Sequence, residues 1–351
     1  MLAPLMAHHY ARVRNLSGGD SWRLIWNCLR SGGQPNEVWI WMHCFPGRGL
    51  HPLPARAANA LFSWLGDAEC RKVLSDKLAA AQLLEAAGLR TPTIVRVIAR
   101  GSVPSVDAEF FGREYSGLLV KPRHGSAGRG TMSVDVCGEG LFSVNGDAAV
   151  GAEALAARLA AGAATDDLLV QERLAGCPEL ADFSAGGAPV PRVTTAREPG
   201  GEPFLHSVLL AIPVPGENPV DFLNAHVWAA VDPRSGVSGY GIRFAEPGRR
   251  IETLWWNSTP LSGRVLPWFA PCIEAALAAM RLVPGIPLAA WDAILTYGGP
   301  TILEGNSSGS WILTRLPSLQ GMEAASLEPV LKLWVRARGL SVGTWGVLNR
   351  G

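Results

Sequence analysis

The sequence predicts an α+β fold, and three observations predict it. A chain of 351 residues, 48% of them hydrophobic, can bury a full core and divides into two or three units. Between residues 74 and 175 a capped amphipathic helix leads into apolar strands parted by a glycine-rich loop. From about Ala188 onward, strand-like apolar runs alternate with helical segments, the pattern of a sheet covered by helices on one face.

Residues 1–73 are read as an N-terminal supporting domain. They carry helix-like and short strand-like segments, the tryptophan-rich run Glu37 to Met42 among them, and no recognisable chemistry. Residues 74–175 form the second unit. It opens at Ser75, a good N-cap, with Asp76 placed to complement the helix dipole. Ala80, Leu83, Leu84 and Ala87 then fall on one helical face, and Gly88 supplies the stop. Leu118 to Pro122 reads as a buried strand and Thr131 to Val136 as an alternating one. Ala152 to Ala161 is helical, and Leu168 to Glu172 is another interior strand. Residues 176–351 form the third unit. Its strands are expected at Phe204 to Ile212, His226 to Val231, Ile294 to Tyr297 and Pro300 to Leu303, with helices near Pro267 to Met280 and Leu327 to Arg338.

Composition narrows the function. The formal charge of +1, from 31 basic and 30 acidic residues, gathers neither nucleic acid nor an anionic membrane. His8, His9, Arg12 and Arg14 follow the apolar start too soon for a signal peptide, and no apolar run is long enough to span a bilayer. Cys28, Cys44, Cys70, Cys137, Cys177 and Cys272 are scattered without disulfide or C-x-x-C spacing, which fits a reducing cytoplasm. His43, Cys44 and His51 lie close together, but no fourth ligand follows at a zinc-site spacing, so they read as ordinary residues. Nothing here fixes an oligomeric state.

Two segments carry chemistry. His124 to Gly130 contains three glycines and follows Lys121 at the end of a strand. Glycines let backbone approach phosphate oxygens while the lysine supplies positive charge. The loop lacks the Gly-Lys-Ser/Thr ending of a Walker A motif and joins two strands rather than opening a helix, so it suits a flap over a nucleotide, or else a plain hairpin. The second segment is Asp292 with Glu304 and Asn306, joined through a turn at Gly298 to Pro300. In a hairpin the two acids can sit on adjacent strands, and Glu304 and Asn306, two apart, share a face. Three oxygen donors suit a magnesium ion that keeps waters and phosphates as its other ligands.

The order of these features, from Asp76-Lys77 through Lys121, the glycine loop and Val170 to Leu174 to the acids with asparagine, resembles the ATP-grasp superfamily. Pro191 to Thr195, Thr259 to Gly263, Leu266 to Trp268, Trp291-Asp292, Gly299-Pro300 and Glu304 to Asn306 make it similar to the sugar-transfer-associated ATP-grasp family, a group linked to cell-surface polysaccharide biosynthesis. This resemblance spans roughly residues 74 to 315. It implies two α+β subdomains enclosing a nucleotide cleft, with ATP and Mg2+ as cofactors. It makes Lys77 and Lys121 phosphate contacts, with Gly125, Ser126, Gly128 and Gly130 in the flap. Gln171, Glu172 and Leu174 become the adenine hinge, with Glu172 accepting from the adenine amino group, and Glu179 reaches the ribose, although the hinge is a residue shorter than in peptide-ligase relatives. Asp292, Glu304 and Asn306 become the metal ligands, and Arg192, with Lys121, acts on the transferring phosphoryl or the acceptor.

The implied reaction is ATP-dependent ligation, in which a carboxylate is phosphorylated and an amine then attacks it. One departure is notable. In carboxylate-amine members an arginine stands two residues before the first metal-binding acid, and here that residue is Ala290. Arg192, Arg264 and Arg315 are the candidates to replace its charge, and a kinase acting on a sugar or other hydroxyl is the alternative within the fold. A non-catalytic nucleotide-binding module is the alternative outside it. The acceptor is a small molecule, either a carboxylate with an amine or a sugar. Ser307, Ser308 and Ser310 either line its pocket or cap a turn; Trp255, Trp256, Trp268 and Trp311 either stack on it or pack in the core. His226 and Asp232 are read as structural.

Overall fold

The structure, a computed structural model, describes residues 2–13, 15–31, 33–44, 55–106, 110, 115, 117–125, 128–138, 140–184, 187–217, 223–308, 311–322, 324 and 326–339. The N-terminal region is helical: α1 (Leu2–Val13), α2 (Gly18–Ser31), α3 (Pro35–Cys44), α4 (Ala55–Leu65) and α5 (Ala68–Ser75). The expected short strands are absent among its described residues. Glu37 to Met42 lies within α3, whose Val38 and Trp39 pack against α1 and α2 while Ile40 packs on the second sheet, so the apolar run reflects burial on two sides of a helix. Ala7, Ala11, Leu24, Cys28, Val38 and Trp39 of α1 to α3 share a small core.

The next helix, α6 (Lys77–Ala86), is capped by Asp76, whose Oδ1 accepts from the backbone N–H groups of Leu78 and Ala79. Ser75 instead ends α5, its hydroxyl donating back to the Lys72 carbonyl, so the expected cap shifts by one residue. Ala80 and Leu84 are buried as the periodicity requires, Leu83 packs against the same core, and Gly88 leaves the helix at φ +76°.

The first sheet comprises β1 (Ile94–Ile98), β2 (Gly117–Pro122), β3 (Met132–Gly138), β4 (Leu141–Val144), β5 (Val150–Gly151) and β6 (Leu168–Glu172), with α7 (Ala152–Gly162) preceding β6. Its order is β1-β6-β2-β3-β4-β5, and every pairing is antiparallel. Leu118, Val120, Val134, Leu168 and Val170 point to one face, where Leu155 and Leu159 of α7 close the core. Because side chains alternate, Leu119, Lys121 and Gln171 point the other way, into a cleft.

The second sheet is formed by β7 (Val190–Ala196), β8 (Phe204–Pro213), β9 (His226–Val231), β10 (Ser238–Ile242), β11 (Leu288–Thr296) and β12 (Gly299–Asn306), in the antiparallel order β10-β9-β8-β7-β11-β12. Three helices accompany it: α8 (Phe269–Arg281), α9 (Trp311–Leu319) and α10 (Leu327–Ala337). The expectation of a single covered face is corrected. Val208, Leu210, Val227 and Val231 face a core with Ala276 and Met280 of α8. On the opposite face Leu209, Ala211 and Trp228 meet Ile40 of α3 and Leu313 and Leu316 of α9. Further along that face, Ala196 and Leu288 meet α4 and α10. Burial on both sides explains why these strands read as continuous apolar runs. Between the two groups of covering helices one polar row remains, and it faces the cleft.

No described helix is long and apolar enough to cross a membrane. Cys28, Cys70, Cys137, Cys177 and Cys272 are free thiols. His43 Nδ1 lies 2.8 Å from the Trp39 carbonyl, while the Cys44 side chain and His51 lie outside the described residues.

Candidate active site

The polar row is set by strand register. Arg192 on β7 stands opposite Asp292 on β11, which stands opposite Glu304 on β12, so all three project from the same face. A bulge between Asp292 and Ala293 leaves Leu303 as the extra residue on β12, and both Leu303 and Glu304 line the cleft. Gly305 points to the opposite face. A Cβ there would sit 2.4 Å from Cζ3 of Trp291, so glycine at this position leaves room for that ring. Trp291 is itself fixed by its indole N–H, which donates to Thr195 Oγ1 at 2.9 Å.

The acids are only partly compensated. One guanidinium nitrogen of Arg192 donates to both oxygens of Asp292, at 2.9 and 2.8 Å, with both residues about 95% buried. The Asn306 amide donates to Asp292 Oδ2 and Glu304 Oε1, each at 3.2 Å. Burial pushes the Asp292 carboxyl up to about 6, against the pull of Arg192, and Glu304 adds to the rise. Two carboxylates and an amide oxygen held this closely form a hard-oxygen set that fits magnesium. Among the described residues no three His, Cys, Asp or Glu side chains form a metal cluster, so phosphate oxygens would have to complete the coordination.

The facing wall belongs to the first sheet. Lys121 on β2 is 92% buried and lines the same cleft as Asp292, Glu304 and Asn306. Burial depresses its ammonium to about 8, the attraction of Glu304 opposes that shift, and nearby Lys77 adds to it. Lys77 opens α6, and its Nζ donates to the Gly125 carbonyl at 2.8 Å, tying the helix to the glycine loop. Its ammonium is also lowered by burial, with Glu304 acting against the shift. Gly125, Gly128 and Gly130 have φ of +109°, +68° and +74°, values that favour glycine. The loop joins β2 to β3 as expected; Ser126 lies outside the described residues.

Other candidates divide. Gln171 and Leu174 line the cleft, and Gln171 is almost fully buried with its Oε1 unpartnered. Glu172 also lines it, but its Oε1 already accepts from the N–H and hydroxyl of Thr93, at 2.8 and 3.0 Å. Glu179 lies exposed in the 3-10 turn Pro178–Phe183 and is not part of the cleft lining. Among the three arginine candidates, Arg192 alone lines the cleft. Arg264 pairs with Asp182 at 2.7 Å, and Arg315 lies on α9. Ala290 faces Thr194, so the charge beside Asp292 comes from the neighbouring strand.

Ser308 lines the cleft, while Ser310 and the Trp311 side chain lie outside the described residues. Trp255 and Trp268 are partly exposed away from the lining. Asp232 caps a turn by accepting from the N–H groups of Arg234 and Ser235, as expected. His226, expected to be structural, lines the cleft.

Sequence reasoning missed two groups. Arg123 donates to both oxygens of Asp76, at 2.8 and 2.6 Å, and to Asp167 at 3.1 Å, locking the start of α6 to the end of β2 and so placing Lys77 beside Lys121's strand. The position of Arg123, two after Lys121, was the available signal. The second group is Tyr10, Asn36, Ile40 and Asn59, which bring the N-terminal helices to the cleft; no local pattern marks them.

A family model described as sugar-transfer associated ATP-grasp matches residues 59–328. No curated protein matches the chain in sequence. Solved structures similar to it include the VanG D-Ala:D-Ser ligase from Enterococcus faecalis, with 13% identity and a TM-score of 0.46, covering 77% of this chain and 63% of that one. D-alanyl-alanine synthetase A from Vibrio cholerae O1 biovar eltor str. N16961 is similar with 12% identity and a TM-score of 0.49, covering 77% and 66%. The ADP complex of purK, an N5-carboxyaminoimidazole ribonucleotide synthetase, has 14% identity and a TM-score of 0.40, covering 72% and 50%. The chain thus spans less than two thirds of the VanG ligase's length.

Proposed function

The chain belongs to the sugar-transfer-associated ATP-grasp family, and from that premise we propose that it is a magnesium-dependent ligase that activates an acceptor carboxylate with ATP for attack by an amine. One observation carries the reading: Lys121 from the first sheet and Asp292, Glu304 and Asn306 from the second line a single cleft, close enough for Glu304 to act on the Lys121 charge. A role in cell-surface polysaccharide or natural-product assembly is part of the proposal; what supports it is the association with sugar transfer in the family's description.

In the reaction a carboxylate oxygen attacks the γ-phosphorus, the bond to the β,γ-bridging oxygen breaks, and ADP leaves. The amine nitrogen then attacks the acyl carbon, phosphate leaves with the bonding pair, and the nitrogen gives up its proton. Lys77 and Lys121 hold the phosphates and neutralise their charge, which is most of what phosphoryl transfer asks of a protein. Arg192 orients the acceptor carboxylate, because a planar guanidinium suits that group. Gly125, Gly128 and Gly130, all at positive φ, let backbone approach the triphosphate. Gln171 to Leu174 hold the adenine. Asp292, Glu304 and Asn306 would hold magnesium, which supplies charge neutralisation at the β- and γ-phosphates when bound.

The kinase alternative draws on Ala290; the Arg192 guanidinium beside Asp292 supplies a positive charge at that place and supports the ligase reading. Hydroxylamine separates the two. With Mg-ATP and a panel of carboxylates, a ligase gives a hydroxamate together with ADP, because hydroxylamine intercepts the acyl phosphate. A kinase gives a stable phosphate ester and no hydroxamate, and that result would overturn the proposal.

A further inference from the structure

The cleft has a volume of about 1420 Å³, above the roughly 300–1,000 Å³ of sites that hold one small ligand. A second molecule therefore has room beside the nucleotide. The charged residues that line the cleft all belong to the nucleotide hinge, the phosphate contacts or the metal row. Beyond them the lining changes character. Val190 lies two residues from Arg192 on the same strand face, roughly 7 Å along the strand, and packs with Ile40, Leu223 and Phe244.

The N-terminal helices add polar groups to the lining, besides Asn224 and His226 next to Leu223. Asn36 sits one turn from Ile40 on the same face of α3, Asn59 comes from α4 and Tyr10 from α1. The amides of Asn36 and Asn59 have no hydrogen-bond partner among the described residues, so each offers both donors and an acceptor. No described lining residue on this side is an acid, a lysine or an arginine, and His226 is its one imidazole.

We infer that α1, α3 and α4 form the acceptor-binding wall, with Tyr10, Asn36 and Asn59 determining specificity, and that the acceptor is a carboxylate on an uncharged, hydroxyl-bearing body, a sugar acid in chemical class. Its carboxylate meets Arg192, its hydroxyls meet the amides, and its apolar ring face lies on Ile40, Leu223 and Phe244. The inference rests on the ligase reading. A molecule without hydroxyls forgoes the hydrogen bonds these amides offer, and that difference sets the preference.

The test measures ADP release by the full chain with Mg-ATP and ammonium, offering glucuronate, galacturonate and gluconate in one arm and D-alanine, glycine and aspartate in the other. Expected is stimulation by the sugar acids. In Asn36→Ala and Asn59→Ala their KM rises about tenfold, while KM for ATP stays within twofold. Both asparagines are exposed, so circular dichroism should match the parent chain. Stimulation by the amino acids alone, or an unchanged sugar-acid KM in both variants, overturns the acceptor assignment and leaves the ligase reading standing. Failure of every carboxylate to stimulate release, with Mg-ATP still binding, overturns both.

Discussion

On the first sheet the cleft face is one half of an alternating pattern: Leu119, Lys121 and Gln171 point outward while Leu118, Val120 and Val170 pack against α7. On the second sheet the strands are buried on both faces, and Arg192, Asp292 and Glu304 interrupt them as one transverse row. The two walls are also electrically opposite. Lys121 is buried with no ion pair among the described residues, whereas the acids opposite hold more negative charge than Arg192 can offset. Each wall is incomplete alone. On the proposed reading a triphosphate with its cation would complete both, bringing negative oxygens to the lysines and positive charge to the acids.

The division of labour can be broken at its strongest point. Glu304→Gln keeps the volume and removes the charge proposed to bind the metal, so ATP turnover should fall about a thousandfold while thermal unfolding shows an intact fold. A loss below tenfold would deny the second sheet its role. Next comes Arg192→Ala, which leaves Asp292 buried beside Glu304 without its cation and should cost about 3–5 kcal/mol of stability, read by urea unfolding. Adding Asp292→Ala should recover part of that loss; a strictly additive double variant would contradict the pairing.

The cationic wall gives smaller effects. Lys121→Ala should weaken Mg-ATP binding about ten- to a hundredfold by calorimetry, the scale of one charge-assisted contact; unchanged affinity would remove the first sheet from the site. The Lys121 ammonium, held near 8 against an ordinary 10.5, also sets a pH dependence. The folded protein binds fewer protons than the unfolded chain between these values, so stability should rise as pH climbs from about 8 to 10.5. Lys121→Met should flatten that rise in pH-dependent urea unfolding. The smallest effect belongs to Asp76→Ala, which removes the α6 cap and the Arg123 partner. It should cost about 1–2 kcal/mol and raise KM for ATP modestly through Lys77.

The same contrast explains what the sequence discloses. Glu304 and Asn306 were legible because spacing of two on a strand fixes their shared face, and Lys121 because a lysine ending an apolar strand before a glycine loop is conspicuous. The α6 helix was legible from its periodicity, with its cap displaced by one residue because Ser75 and Asp76 are both good caps and Arg123 selects the acid. Arg192 beside Asp292 was not fixed by spacing, since a hundred residues and the β8–β10 strands separate them and only the final register aligns them. Among the N-terminal helices α3 misled most. It packs against α1 and α2 on one side and against the second sheet on another, so no single amphipathic face announces itself, and Tyr10, Asn36 and Asn59 reach the cleft through tertiary packing alone.

The most direct test is a crystal structure of the full chain with magnesium and a non-hydrolysable ATP analogue. Expected is a triphosphate lying between the sheets, its β- and γ-phosphate oxygens in contact with Lys121 and sharing a cation with Glu304 and Asn306. A nucleotide bound outside this cleft, or touching Lys121 with no cation on the β12 acid, would contradict it.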